Sequence, residues 1–369
     1  MSPYPFKSIV LNGRDVEIVS ILLGTITPTS EFERHTIDFV RDWLNNTTHF
    51  VLTTSGSTGH PKPISITRGQ MQHSARMTIQ ALALQKNETA LVCLNTHYIA
   101  GKMMLVRALE GDLKITVVDP VSDPLKHCDM TFDFIALVPV QLQAILTAEE
   151  SRKRLDNAKA IIIGGAAIST SLHDAIKTLK SPVYATYGMT ETISHVALQR
   201  LNGDRPETYF KTLPNIKITT DDRGCLVIDA GYLPEKIHTN DLVEIISPQT
   251  FQWLGRVDNV INTGGIKVIP EELESQIQKL NEALKINQNF FISGIPDPIL
   301  GKKVVLIVEG DVDKNWVKIL SELKQTFSKY VIPKEILKVD KFTFTKTEKI
   351  DRTFSAHQAM AQYFTEKKH

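Results

Sequence analysis

The chain has 369 residues, 42 Lys+Arg against 41 Asp+Glu for a net charge of +1, and 42% hydrophobic residues. That is ordinary globular composition at a length suited to two or three domains. The balanced charge gives no global field toward nucleic acid or an anionic membrane, so neither is expected as a partner. Cys93, Cys128 and Cys225 have no paired spacing, which argues against a disulfide framework and a structural zinc site and for a reducing, cytoplasmic setting. The N-terminus has no apolar signal-peptide core, and no apolar run approaches the roughly 20 residues of a spanning helix.

In chain order, residues 31–46 are expected to form a helix with Ile37, Val40 and Leu44 on one face. A short strand follows at 50–52, then a helix at 70–85, a strand at 89–94 and a helix at 99–109. Strands at 114–118 and 133–138, a helix at 141–154, a strand at 159–163 and a helix at 169–180 continue the alternation. Short β-branched strands alternating with helices predict an α/β class, with a large N-terminal domain of mostly parallel sheets covered by helices. After about residue 255 the pattern changes to a small α+β unit: helix 270–280, strands 289–295 and 303–309, helix 315–328, strand 334–339. The stretch LGRVDNVINTGGIKV at 254–268 is rich in Gly, Asn and Asp, as a hinge would be. The expected domains are 1–257 and 258–369, with the hinge near Asp258.

The densest chemical signal is LTTSGSTGHPK at 52–62. Thr54, Ser55, Ser57 and Thr58 offer hydroxyls, Gly56 and Gly59 let backbone N–H groups turn toward an anion, and Lys62 adds charge. Such a loop suits a polyphosphate. It is not the P-loop pattern, and neither that pattern nor G-x-G-x-x-G occurs in the chain. A second signal is YGMTET at 187–192, preceded by IGGAA at 163–167. Ligands of open α/β sheets bind beyond the carboxyl ends of the strands. There Gly165, Ala166 and Ala167 let a planar base approach the backbone, and Tyr187 offers a ring to stack on it. Gly188, Met189 and Thr190 carry the turn, and Glu191 offers a carboxylate to Mg²⁺. Taken alone, YGMTET reads equally well as a buried turn with a capping threonine.

Together and in this order, the segments resemble the adenylate-forming superfamily of acyl-CoA synthetases, peptide-synthetase adenylation domains and luciferases, over nearly the whole chain from residue 50 onward. The resemblance implies that 52–62 holds the phosphates of ATP and that 187–192 is the adenine and magnesium motif. It implies that Asp241, in TNDL at 239–242, binds the ribose hydroxyls. In LGRVD at 254–258, Arg256 would lie near ribose and phosphate, with Asp258 as pivot. Gly264, Gly265 and Lys267, in NTGGIK at 262–267 followed by PEE at 270–272, would line the tunnel for a thiol. Lys349, in TEKIDR at 347–352, stands where the family keeps its adenylation lysine. ATP, Mg²⁺, coenzyme A and a small carboxylic acid are the implied cofactors and partners. Two half-reactions through an acyl adenylate, with the small domain rotating between them, are the implied chemistry.

Three departures stand out. Asn240 replaces the glycine of the ribose motif, Glu348 replaces a glycine before Lys349, and the region before the phosphate loop is reduced. A smaller pocket wall, or one supplied across a homodimer, would follow from the last. ALVPVQL at 136–142, NTHYIAGK at 95–102 and GMTETISH at 188–195 most resemble the o-succinylbenzoate–CoA ligases of menaquinone synthesis. That narrower resemblance implies His97 as the acid-pocket histidine, and His195 is a second candidate for the pocket. A ligase or carrier-loading enzyme for another aryl or short acyl acid stays open, as does a non-catalytic AMP-binding homologue.

Overall fold

A computed structural model describes residues 7–53, 63–166, 168–286, 288–344 and 350–366. Strands Lys114–Val117, Thr89–Val92, Phe134–Leu137, Ala160–Ile163 and Val183–Gly188 lie side by side, all parallel. Ser8–Leu11 extends this row in parallel beside Lys114–Val117, and Arg14–Glu17 closes it as an antiparallel edge.

The central strands are largely apolar because both faces are covered, Phe134–Leu137 and Ala160–Ile163 entirely so, and the period of two sorts their side chains. Ala90, Val92, Phe134, Ala136, Ala160 and Ile162 join one core, against helices Glu31–Leu44, Arg68–Ala81 and Ile99–Glu110. Leu91, Ile135, Leu137, Ile161 and Ile163 face the opposite core, against Pro139–Thr147, Glu149–Leu155 and Thr170–Lys177. The single helix expected over 141–154 is thus two, broken at Ala148, which is extended at φ −104°, ψ 112°. Glu149 and Glu150 in the first turn of the second piece, and Arg152, Lys153 and Arg154 in its last, suit the dipole of a helix starting afresh.

Beyond Val183–Gly188 the sheet becomes antiparallel, through His195–Arg200, Phe210–Thr212, Thr250–Arg256, Ile237–Ser247, Cys225–Ala230 and Ile216–Thr220. Thirteen strands among the described residues form this one sheet. Its antiparallel half is not among the elements expected from sequence.

Strands Ile261–Thr263, Ile266–Val268, Phe290–Asp297, Gly301–Glu309 and Glu335–Val339 build a separate sheet. Helices Pro270–Ala283 and Lys314–Thr326 bury Leu273, Ile277, Trp316 and Ile319 against one face, and Arg352–Glu366 sets Ala359 against the other. This unit touches the large sheet's helices where the Ser171 N–H donates to Glu282 Oε1 at 2.7 Å. A two-stranded ribbon, His49–Thr53 with Pro63–Thr67, closes its ladder at Thr53–Pro63, on either side of residues 54–62. No described helix is long and apolar enough to cross a membrane.

The N-terminal elements are fastened by a buried carboxylate. Glu33 is 1% exposed and accepts from Thr29 N–H at 2.8 Å, Asn12 Nδ2 at 3.0 Å and Arg14 Nη2 at 2.5 Å. Burial alone would raise its pKa, but these donors outweigh it and hold the carboxyl at about 2. A depressed carboxyl stabilises the fold above its unfolded pKa of roughly 4.3, and that stability fades as pH falls toward 2. Acid unfolding of Glu33→Gln should therefore be shallower between these limits than that of the unaltered chain. Parallel acid-denaturation curves for the two would indicate that Glu33 carries none of this dependence.

Candidate active site

Because the central strands are parallel, the segments after Val92, Leu137, Ile163 and Gly188 emerge on one edge. His97, Gly165, Ala166 and the 187–192 turn therefore share the carboxyl edge of the sheet, the usual ligand face of such folds. Gly164 leads into the 165–166 segment, and a Cβ there would lie 2.3 Å from Thr186 Oγ1. That hydroxyl donates to Ile163 O at 3.0 Å and so ties the two strand ends together.

The 187–192 turn is built as tightly. A Cβ on Gly188 would lie 2.4 Å from both His195 Cα and Ser194 O. Thr192 Oγ1 accepts from Met189 N–H at 2.9 Å and donates to Ser194 O at 2.7 Å, and Tyr232 Oη donates to Thr192 O at 2.9 Å. The turn is internally capped, as one reading of the motif expects, and Glu191 is exposed on it.

Tyr187 packs edge-on against Phe251, with ring centroids 5.1 Å apart, and donates its hydroxyl to Asp241 Oδ2 at 2.7 Å. Burial first, then the neighbouring Asp241 carboxylate, push that hydroxyl above its ordinary pKa. Trp253 Nε1 donates to Asp241 Oδ1 at 3.2 Å. Asp241 and Arg256 are opposite each other in the ladder, with Arg256 Nη1 3.6 Å from Asp241 Oδ1 and Nη2 2.8 Å from Asp258 Oδ2. Burial works against the Arg256 charge, but the Asp258 and Asp241 carboxylates outweigh it and raise its pKa. Residues distant in sequence thus converge on one polar cluster around a buried carboxylate.

His97 is exposed at the tip of a loop held from behind. Lys102 Nζ donates to Thr96 O and His97 O, each at 2.7 Å, and His97 N–H donates to Asn95 Oδ1 at 2.9 Å. Burial pushes Lys102 down to about 8. His35, from helix Glu31–Leu44, lies against His97 at 4.7 Å between ring centroids. His195, expected as a second pocket candidate, is instead 5% exposed, with Nε2 3.0 Å from Thr78 Oγ1 and Nδ1 3.4 Å from Arg107 Nη2. Burial first, then the Arg107 charge, hold its pKa well below the ordinary value. Burial brings Arg107 itself down to about 9.

Gly264 and Gly265 form the turn between Ile261–Thr263 and Ile266–Val268, with φ +55° and +82°, the left-handed geometry of a two-residue hairpin. They and the exposed Lys267 belong to the smaller sheet, apart from the Asp241 cluster. Thr54, Ser55, Gly56, Ser57, Thr58, Gly59, Lys62, Ala167 and Lys349 lie outside the described residues. Trp253, Lys102, His35 and Arg107 escaped the sequence reading. Only Arg107 carried a local signal, as a lone charge in the apolar run MMLVRAL.

A buried carboxylate ringed by donors stands beside glycine-containing turns at the carboxyl edge of an α/β sheet, the edge where ligands of such folds bind. A family model described as AMP-binding enzyme matches residues 21–231. The crystal structure of an acyl-CoA synthetase (AMP-forming)/AMP-acid ligase II-like protein from Dyadobacter fermentans is 41% identical, covering 92% of this chain and 97% of that one, with TM-score 0.62. The 2-succinylbenzoate–CoA ligase of Staphylococcus aureus strain Newman is 24% identical over 92% of this chain and 75% of its own length. The o-succinylbenzoate coenzyme A synthetase of Bacillus subtilis, solved with ATP and magnesium ion, shares the fold at 20% identity and TM-score 0.64, over 82% of this chain and 68% of that one. The chain belongs to the AMP-binding enzyme family of AMP-forming acyl-CoA ligases.

Proposed function

We propose that this enzyme activates o-succinylbenzoate with ATP and transfers it to coenzyme A, the chemistry that serves menaquinone synthesis. The observation that carries the nucleotide part is the convergence of Tyr187, Trp253 and Arg256 on Asp241. Similarity to the Staphylococcus aureus ligase across 92% of this chain supports the choice of acid. The three unpaired cysteines support a cytoplasmic setting.

The chemistry has two steps. A carboxylate oxygen of the acid attacks the α-phosphorus of ATP, the bond from that phosphorus to the bridging oxygen breaks, and pyrophosphate leaves. The thiol sulfur of coenzyme A, losing its proton, then attacks the acyl carbon and expels AMP. Asp241 accepts hydrogen bonds from the ribose hydroxyls, while Gly165, Ala166 and Ala167 let the base lie against backbone. Lys62 and the 54–59 segment hold the phosphates, and Lys349 stabilises charge on the transferring phosphoryl group. Glu191 is the side chain that would hold Mg²⁺, which neutralises charge on the phosphates when bound. A single exposed carboxylate suits an ion that keeps most of its ligands as water and phosphate oxygen. The unit from Asp258 onward rotates between steps, withdrawing Lys349 and bringing in Gly264, Gly265 and Lys267.

Pyrophosphate release across a panel of carboxylic acids, with and without coenzyme A, tests this reading. A site built for a polar group rejects analogues lacking it by roughly 10⁴-fold, so kcat/KM for o-succinylbenzoate should exceed that for benzoate by about that factor. Equal turnover of the two would exclude the menaquinone reading and leave another acid. Of the two candidate histidines His195 is buried and His97 exposed, so His97 is the one available for a distal carboxylate. No release with any acid would leave only a nucleotide binder.

A further inference from the structure

Asn240 stands where the family resemblance leads to glycine, and both ends of its amide are engaged. Its Oδ1 accepts from Arg223 Nη1 at 2.9 Å, and its Nδ2 donates to Asp258 Oδ1 at 3.1 Å and Oδ2 at 3.2 Å. Arg223 is itself fixed, donating through Nη2 to Thr239 O and through Nε to Asp221 Oδ2, each at 2.9 Å. From the opposite side Arg256 Nη2 reaches Asp258 Oδ2 at 2.8 Å. Asp258 lies in the single turn Val257–Asn259, between the last strand of the large sheet, Thr250–Arg256, and the first strand of the small one, Ile261–Thr263. A glycine at 240 has no side chain with which to make either contact.

We propose that Asn240, oriented by Arg223, is a positioning residue that braces Asp258 and so sets how readily the unit from 258 onward reorients. Its catalytic consequence rests on the two-step reading above. The braced carboxylate is exposed, and exposed polar contacts are weak. The brace therefore biases the orientation of the unit and does not lock it. A net hydrogen bond corresponds to a shift of about three- to tenfold in an equilibrium.

Asn240→Gly and Arg223→Met, each in the full chain, test the brace against the unaltered protein. Three quantities are read: hydrogen exchange of the 257–263 amides, the melting temperature, and the two half-reaction rates. The first rate is pyrophosphate release from ATP and acid, and the second is thioester formation from synthetic acyl adenylate and coenzyme A. Both variants should exchange about three- to tenfold faster at 257–263 and change the ratio of half-reaction rates by a similar factor, with nearly unchanged melting temperature. An unchanged ratio overturns the proposal, as does an equal fall in both rates with a lowered melting temperature, the result of a merely structural role. If the unaltered protein releases no pyrophosphate, the ligase reading fails. Exchange at 257–263 then decides the brace, and exchange no faster than in the unaltered chain overturns it.

Discussion

Lys349→Ala is expected to slow pyrophosphate release by two to three decades while leaving thioester formation from synthetic acyl adenylate near the unaltered rate. Removing one preorganised donor to a transition state costs about 2.7–4 kcal/mol, which sets that factor. The asymmetry follows from the rotation proposed above. Lys349 belongs to the unit beyond Asp258 and would stand at the α-phosphate in only one orientation. Gly265→Leu should show the opposite pattern, because a branched side chain at this φ +82° position strains the turn and would fill the approach proposed for the thiol. Glu348 puts the lysine assignment at risk, since an ion pair would hold Lys349 away from ATP. If adenylation survives the substitution, another cation does this work. If both half-reactions slow alike, the two-orientation account is wrong.

Gly188→Ala should destabilise the fold by about 3 kcal/mol or more, a shift of several degrees in melting temperature. The new Cβ would meet His195 Cα and Ser194 O, each at 2.4 Å, and both are backbone that no rotamer change can move. Relief would require parting strands Val183–Gly188 and His195–Arg200, which pair Gly188 with His195 at the ladder's end. The turn carrying Glu191 would shift with them. Gly231→Ala is the matched control, because nothing lies within 4 Å of a Cβ there. Calorimetric melting of the two variants separates the cases. A Gly188→Ala protein that melts with the control would mean the two strands do not keep this approach in solution.

The parts legible in the sequence are those whose signal is local. Phe134–Leu137 and Ala160–Ile163 announce themselves as buried parallel strands because every side chain in them is apolar. The 187–192 turn is visible because Gly188 and the threonines at 190 and 192 are local turn and capping signals. The antiparallel half is harder to read: Ile216–Thr220 and Ile237–Ser247 mix polar and apolar residues on a half-solvated sheet, and the period of the second is broken by bulges near Leu242 and Ile245. The donors around Asp241 are harder still. Trp253 meets it only because Ile237–Ser247 and Thr250–Arg256 pair across a hairpin whose register no single residue encodes. Lys102 likewise looks like an ordinary helix lysine until the 95–98 loop folds back onto it. The hydrogen bonds of the buried His195 are hidden for the same reason: its partners Thr78 and Arg107 come from two helices remote in the chain.

Arg256 is shared, one nitrogen 3.6 Å from Asp241 and the other 2.8 Å from Asp258. A guanidinium moves as one rigid plane, so a shift that draws it toward Asp241 would change its hold on Asp258. Free energies of this kind are reciprocal: if nucleotide occupancy alters the freedom of the hinge by some factor, altering that freedom must change nucleotide affinity by the same factor. Affinity for ATP is then no property of the large sheet alone. A substitution confined to the 258–262 segment, touching no atom of the nucleotide, becomes a means of tuning how tightly ATP is held.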